Sequence, residues 1–150
     1  MPAFDVIVIK DKLVGKHNIG VMLARESLNK LIIEYANRIV ILSSPLAFPG
    51  YITYAERIDL DTLIEIVRTA EKFEVPIISY HGHQGTLDVV NSLTGLKLTA
   101  NRGIYTPEEG DVVIAIKLRR RLEKPEDVKQ VKKDDVEVIL LQYVKINNVM

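Results

Sequence analysis

A short apolar run followed by a glycine-rich turn places the strongest constraint on how this chain can fold. Residues 76–79 (PIIS) are largely apolar, residues 80–86 read YHGHQGT, and a helical pattern begins near Thr86. This order predicts a buried strand, a turn and then the N-terminus of a helix. The first turn of a helix leaves backbone N–H groups unpaired and carries a partial positive charge, so the turn is suited to binding phosphate.

Two of the three histidines in the chain, His81 and His83, lie in this turn. An imidazole can donate a proton near neutral pH, which makes the turn a candidate for phosphate chemistry. Gly82 and Gly85 flank His83 and keep the backbone open to a ligand. The alternative is purely structural, with one histidine capping the helix and the other packing on a strand end.

A His-x-His pair can also bind zinc, but it needs a third ligand. Asp88 is the only carboxylate near the pair in sequence, and the chain has no cysteine. We therefore predict no metal and no cofactor.

The rest of the chain alternates between strand and helix patterns, which predicts a single α/β domain with a mixed β-sheet flanked by helices. We expect a loop over residues 43–50, where two prolines and a glycine exclude regular pairing. Strands are predicted at residues 4–9, 38–42, 51–58, 77–80, 111–118 and 136–146. Helices are predicted at residues 20–37, from Asp59 or Asp61 to about Phe73, and from Thr86 to about Leu93.

Composition narrows the classes of function. A chain of 150 residues with 47% hydrophobic and 27% charged residues is typical of one globular domain. The formal net charge of zero argues against a large duplex-DNA footprint. No apolar run reaches the ~20 residues that span a bilayer, and the N-terminus lacks the basic region of a signal peptide. We expect a cytoplasmic protein, and the abundance of Ile, Val and charged residues is typical of thermophiles.

Four segments, taken together in this order, resemble a known family. They are GHQGT at residues 82–86, NSLTG at residues 91–95, NR at residues 101–102 and RLE at residues 121–123. The chain resembles the viral ring nucleases of archaeal viruses and phages. These anti-CRISPR enzymes destroy the cyclic tetraadenylate messenger of type III CRISPR immunity, and cellular relatives act within those systems. The loop at residues 42–46 is also similar, and the resemblance covers about residues 39–146.

The resemblance implies a homodimer of mixed α/β subunits that binds one cyclic oligoadenylate across its two-fold axis. It also implies cleavage without metal, in which a ribose 2′-hydroxyl attacks the adjacent phosphate. The family's histidine general acid corresponds to His83, which would protonate the departing 5′-oxygen.

The resemblance further implies a set of site residues. His83 and Glu123 are the catalytic candidates. The substrate-binding candidates are Ser43, Ser44, Leu46, Gly82, Gln84, Gly85, Thr86, Asn91, Arg102, Arg121 and Lys124. Arg121 follows two further arginines, and a solvated basic strand end is the alternative reading of that triplet.

The chain departs from the family pattern at three places. Gly85 replaces a serine, and Lys124 stands where the family has a glutamate, with Glu123 directly before it. Residues 1–38 have no counterpart in the short family members, so we interpret them as a strand–helix extension of a core at residues 39–150. The first two departures favour the alternative function, a cyclic-nucleotide sensor or sponge that does not cut. A structural or DNA-associated viral protein is a third reading, which the neutral charge disfavours.

Overall fold

A computed structural model describes residues 36–119 and 131–146, together with the backbone of three short N-terminal strands. The N-terminal strands are β1 (Asp5–Val8), β2 (Arg25–Ser27) and β3 (Lys30–Ile33). The central strands are β4 (Arg38–Leu42), β5 (Tyr51–Ile58), β6 (Ile77–Ser79), β7 (Asp111–Leu118) and β8 (Val136–Lys145). The helices are α1 (Leu60–Lys72) and α2 (Gln84–Thr94).

The five central strands form one mixed sheet in the order β5-β8-β7-β4-β6. β4 runs parallel to both β6 and β7, whereas β8 runs antiparallel to β7 and β5. Together with the two helices, this sheet forms the mixed α/β domain that the strand and helix patterns predict. Each predicted central strand is present within one residue of its expected ends.

Both helices pack on the same face of the sheet. Alternate residues of β4, β7 and β8 point toward them, including Ile39, Ile114 and Leu140, all with 0% exposure. The intervening residues point to the opposite face. There, a second apolar cluster contains Val40, Val113, Ala115 and the aromatic rings of Phe48, Tyr80, Tyr105 and Tyr143. Both faces of the central strands are therefore covered, as their nearly continuous apolar sequences predict.

Local sequence signals set the ends of the helices. Asp59 is the N-cap of α1, and its Oδ1 accepts a hydrogen bond of 2.7 Å from the Thr62 N–H. The face of α1 that packs on the sheet carries Leu60, Leu63, Ile66, Val67 and Ala70, whereas Ile64 is only partly buried. α2 ends at Gly95, which takes the left-handed conformation with φ of 78°.

The helix predicted over residues 20–37 is wrong where the structure describes that stretch. β2 pairs antiparallel with β3, and β3 pairs parallel with β1, so these residues form a small separate sheet. The run Leu31-Ile32-Ile33 is apolar on consecutive positions, a pattern that fits either a strand or a buried helix. Pairing with β1 decides for the strand. The predicted N-terminal strand itself is confirmed as β1.

Neither helix in the described part of the chain is long and apolar enough to cross a membrane.

Candidate functional site

A groove of about 700 Å³ lies at the carboxyl ends of the three parallel strands. Because β4, β6 and β7 run in the same direction, the residues that follow them meet at one edge of the sheet, where open α/β sheets commonly bind ligands. The groove residues come from the loop after β4, the turn after β6, the start of α2, the loop after α2 and the end of β7. They are Ser43, His81, Gly82, His83, Gln84, Gly85, Thr86, Arg102, Ile116, Lys117 and Leu118.

His83 is the N-cap residue of α2 and is exposed in the groove. Its backbone is extended, with φ of −121° and ψ of 93°, and its side chain makes no capping hydrogen bond. The first N–H groups of α2 therefore have no side-chain cap from this residue, and Gln84, Gly85 and Thr86 of this first turn line the same groove as His83. A phosphate placed here would meet both the helix N-terminus and a potential proton donor.

His81, in contrast, is a buried structural residue with 1% exposure. Its Nε2 lies 2.9 Å from the Ile116 carbonyl oxygen on β7, and its Nδ1 accepts a hydrogen bond of 3.1 Å from the His83 N–H. Burial lowers the pKa of the His81 imidazole below its usual value. The hydrogen bond to the Ile116 carbonyl opposes this effect, and the nearby His83 adds to it. His81 thus takes the structural role that the alternative interpretation gave to one of the two histidines, because its ring packs on the sheet.

The contacts of His81 also bear on the zinc alternative. Both of its ring nitrogens are already used, so the pair does not present two available ligand nitrogens. Within the described residues, no three potential metal ligands of the His, Asp or Glu type come together.

The loop after α2 is fastened to the histidine turn by two hydrogen bonds. The Asn101 N–H donates to the His81 carbonyl oxygen at 2.9 Å, and the Ala100 N–H donates to Gln84 Oε1 at 2.9 Å. The other end of the Gln84 amide donates to Asp88 at 2.8 Å. These contacts bring Arg102 to the groove, so Gln84 lies at the site but its amide is engaged in holding the loop.

The charges of the groove are all positive or neutral among the residues that line it in the described structure. Arg102 and Lys117 supply the cations, and no carboxylate lines this surface. Sequence reasoning missed Lys117, although it is the single charged residue that interrupts the apolar run at residues 112–118. This charge distribution is suited to an anionic ligand.

Gly85 lies at the open side of the turn. A Cβ built at this position would have no heavy atom within 4 Å. The viral ring nucleases that the chain resembles have a serine at this position, and the Cβ of a serine would fit here without any rearrangement.

Three predicted site residues do not line the groove. The Leu46 carbonyl accepts a hydrogen bond of 2.7 Å from the Tyr143 hydroxyl, and Ser44 lies half-buried in the same loop. Asn91 makes two hydrogen bonds of 2.8 Å to the backbone of Leu98, so its amide holds the loop after α2. The role of Asn91 in substrate binding stays a prediction.

Arg121, Glu123 and Lys124 lie outside the described residues, so their predicted roles stay predictions. Arg121 follows the groove residue Leu118 by three positions, and three residues span at most about 11 Å. Arg119, the last described residue of the basic triplet, is exposed and pairs with Glu137 at 3.8 Å.

A second polar cluster lies at the opposite, amino-terminal end of the strands. Asp111 is 4% exposed and accepts hydrogen bonds from the Arg38 guanidinium, the Tyr105 hydroxyl at 2.6 Å and the Glu108 N–H at 2.9 Å. Burial, followed by the bond to Asp111, raises the pKa of Tyr105. The cluster joins β4, β7 and the loop between α2 and β7, and it lies away from the groove.

Comparison with known proteins gives a family match and several matches to solved structures. The fold is similar to that of B116 of Sulfolobus turreted icosahedral virus, with a TM-score of 0.56 and 19% sequence identity. The match covers 69% of this chain and 97% of B116. A comparison with curated proteins finds no match. The STIV B116-like family model matches residues 28–143, about three quarters of the chain. The chain therefore belongs to the STIV B116-like family.

Proposed function

We propose that this protein is a metal-independent ring nuclease that cleaves cyclic oligoadenylate, with cyclic tetraadenylate as the expected substrate. One observation carries the proposal: the exposed His83 imidazole stands at the N-terminus of α2, in a groove whose charged lining residues are Arg102 and Lys117. A proton donor beside a binding surface for phosphate is the minimum that phosphodiester cleavage without metal requires.

In the proposed reaction, the nucleophile and the leaving group both belong to the substrate. The ribose 2′-hydroxyl gives up its proton to solvent water and attacks the adjacent phosphorus. The bond from phosphorus to the 5′-oxygen breaks, and a 2′,3′-cyclic phosphate forms. His83 gives its proton to the departing 5′-oxygen. Arg102, Lys117 and the N–H groups at the start of α2 hold the phosphate oxygens as negative charge develops.

The segment after β7 would complete the site. Arg121 would grip a second phosphate, because a guanidinium can donate two parallel hydrogen bonds. Glu123 would orient His83 or the attacking ribose, and Lys124 would contribute charge in place of the family's glutamate. A homodimer would place two His83 side chains near opposite phosphates of one ring. The resemblance to the viral ring nucleases supports a role in switching off type III CRISPR signalling in the host cytoplasm.

The experiment is incubation of the purified protein with radiolabelled cyclic tetraadenylate in EDTA, with products resolved by chromatography. We expect linear products from the wild type. His83→Ala should slow single-turnover cleavage by ~10²–10⁴ and leave affinity within a few-fold. Arg68→Ala, which removes an exposed charge on α1 outside the groove, is the control and should cleave normally. Near-normal cleavage by His83→Ala would refute the assignment of the acid.

A binding module that captures the same ligand without cutting it is the second candidate. A general acid is commonly oriented by a hydrogen bond to its side chain. Within the described residues, no such hydrogen bond orients the His83 imidazole. Tight binding by the wild type with no cleavage, unchanged by Glu123→Gln, would establish this function and exclude the enzyme. Slower cleavage by Glu123→Gln at unchanged affinity would support the enzyme and the orienting role of Glu123.

A further inference from the structure

His81 lines the groove although it is only 1% exposed, and it connects three elements around His83. Its ring is buried between β7 and the start of α2, with Nε2 at 2.9 Å from the Ile116 carbonyl oxygen. A carbonyl can only accept, so Nε2 carries the hydrogen and Nδ1 is the acceptor in the neutral ring. That acceptor receives the His83 N–H at 3.1 Å. The contacts thus select one tautomer of a neutral imidazole.

The backbone of the same residue extends the connection. The His81 N–H donates to Ser79 Oγ at 3.2 Å, and its carbonyl oxygen accepts the Asn101 N–H at 2.9 Å. The position of Arg102, which follows Asn101 directly, therefore depends on the same residue as the position of His83. The two imidazole rings meet edge to face, with centroids 5.8 Å apart.

We propose that His81 is the positioning residue for His83: its neutral imidazole holds the His83 backbone at the start of α2 and so sets where the exposed ring can reach. The effect on cleavage rests on the proposed function, whereas the effect on the His83 backbone does not. The hydrogen bond to His83 N–H is the critical contact, because it is the link that a protonated His81 cannot make.

The surroundings of His81 disfavour a positive charge on its ring. The titratable or charged groups that line the groove beside it are His83 on the α2 side, Lys117 next to Ile116 on β7, and Arg102 on the loop after α2. β6 contributes the neutral Ser79. Each of the three charged or titratable groups is cationic or becomes so on protonation, and burial lowers the pKa of His81 as well.

The sign of the pH effect follows from this arrangement. His81 is neutral, and the link is intact, above its lowered pKa. As the pH falls through that pKa, Nδ1 gains a hydrogen and the His83 N–H loses its acceptor. Cleavage should then decline on the acid side, because the backbone of His83 is no longer held by His81.

Two substitutions separate the two ring nitrogens of His81. In His81→Asn, the amide oxygen can take the place of Nδ1 and accept the His83 N–H, but the contact with Ile116 is lost. In His81→Gln, the amide nitrogen can take the place of Nε2 and donate to Ile116, but the contact with His83 is lost. Neither side chain titrates. Thr94→Val, which removes a buried hydrogen bond of 2.6 Å to Val90 at the far end of α2, controls for general loss of stability.

We expect the two His81 variants to differ in their rates of cleavage. His81→Gln should lower the single-turnover rate by ~10–100-fold at unchanged affinity, the scale for misplacing a reacting group. His81→Asn should stay within a few-fold of the wild type at neutral pH and lose the decline at acid pH. Equal rates for the two variants, or an acid decline that persists in His81→Asn, would overturn the proposal.

Nitrogen-15 NMR of the wild-type protein gives a readout that does not depend on cleavage. We expect the His81 ring to show the tautomer with the hydrogen on Nε2, and the His83 amide resonance to shift with the His81 titration. This shift should be absent in His81→Asn. A His81 ring that titrates without moving the His83 amide would overturn the proposal. If the amide shifts but the protein cleaves no cyclic tetraadenylate, the positioning role stands and the proposed ring nuclease fails.

Discussion

The position of Arg102 shows how the fold assembles a charged surface from separate segments of the chain. It lies on the irregular loop after α2, and hydrogen bonds from its neighbours Ala100 and Asn101 fasten that loop to the histidine turn. A guanidinium is always charged and cannot transfer a proton in this pH range, so its role in the proposed reaction is binding.

Arg102→Ala should therefore weaken binding of cyclic tetraadenylate by ~1–3 kcal/mol, the range for loss of a charge-assisted hydrogen bond. The rate at saturating ligand should change less than the affinity. Arg68→Ala removes the same charge from α1 and should leave affinity unchanged in the same titration. Equal weakening by both variants would show that only net charge matters and that Arg102 makes no direct contact.

The ends of the elements show where local sequence and tertiary structure compete. α1 has a good N-cap in Asp59, but the chain leaves the helix through Glu74, which has φ of 59°. Left-handed backbone is costly for a residue with a Cβ, and glycine usually takes this position after a helix.

Glu74→Gly should raise the free energy of unfolding by ~0.5–1 kcal/mol, because it removes this conformational cost. Glu74→Ala is the matched control: it removes the same side chain but keeps the Cβ, so it should bring no gain. Urea unfolding of the two variants measures the difference. A stabilisation that is equal in both would assign the effect to the carboxylate and contradict the backbone argument.

The buried ion pair of Arg38 and Asp111 joins β4 and β7 through side chains, in addition to the backbone hydrogen bonds between these strands. Asp111 accepts from three partners and is almost fully buried. Asp111→Ala removes the buried partner of the Arg38 guanidinium, which keeps only the exposed Glu108 carboxylate at 3.5 Å and the Thr106 carbonyl at 3.4 Å, and it should cost ~3–5 kcal/mol. Glu137→Ala removes the exposed pairs with Arg57 and Arg119 and should cost less than ~1 kcal/mol. Thermal or urea unfolding that ranks the two in the reverse order would contradict this comparison.

At the scale of the whole molecule, the described part of one chain places the exposed His83 in the groove at the carboxyl ends of β4, β6 and β7. A symmetric cyclic ligand is matched by two copies related by a two-fold axis. Light scattering in solution should therefore give a mass of at least about twice the 17.0 kDa of one chain. A monomer at micromolar concentration that cleaves at the full rate would contradict the shared-site arrangement.

The sequence predicted most elements of the central sheet because their patterns are strong. β7 and β8 are long and apolar, Asp59 and Gly95 are clear helix signals, and the prolines of residues 43–50 exclude pairing. The prediction of an N-terminal helix was wrong because the sequence of residues 31–33 is compatible with either a helix or a strand. Only pairing with β1 distinguishes the two, and that contact is not local in sequence.

The candidate site divides in the same way. The sequence by itself determined that His83 stands in a glycine-rich turn before a helix, since that depends on neighbouring residues alone. Tertiary structure decided which distant residues join it: parallel pairing of β4 with β6 and β7 brings Ser43 and Lys117 to the same edge. It also decided that His81 is buried with both nitrogens bonded, and that Asn91 holds a loop. Two histidines separated by one residue have the same local signals, and only the packing of one ring against β7 makes their chemistry different.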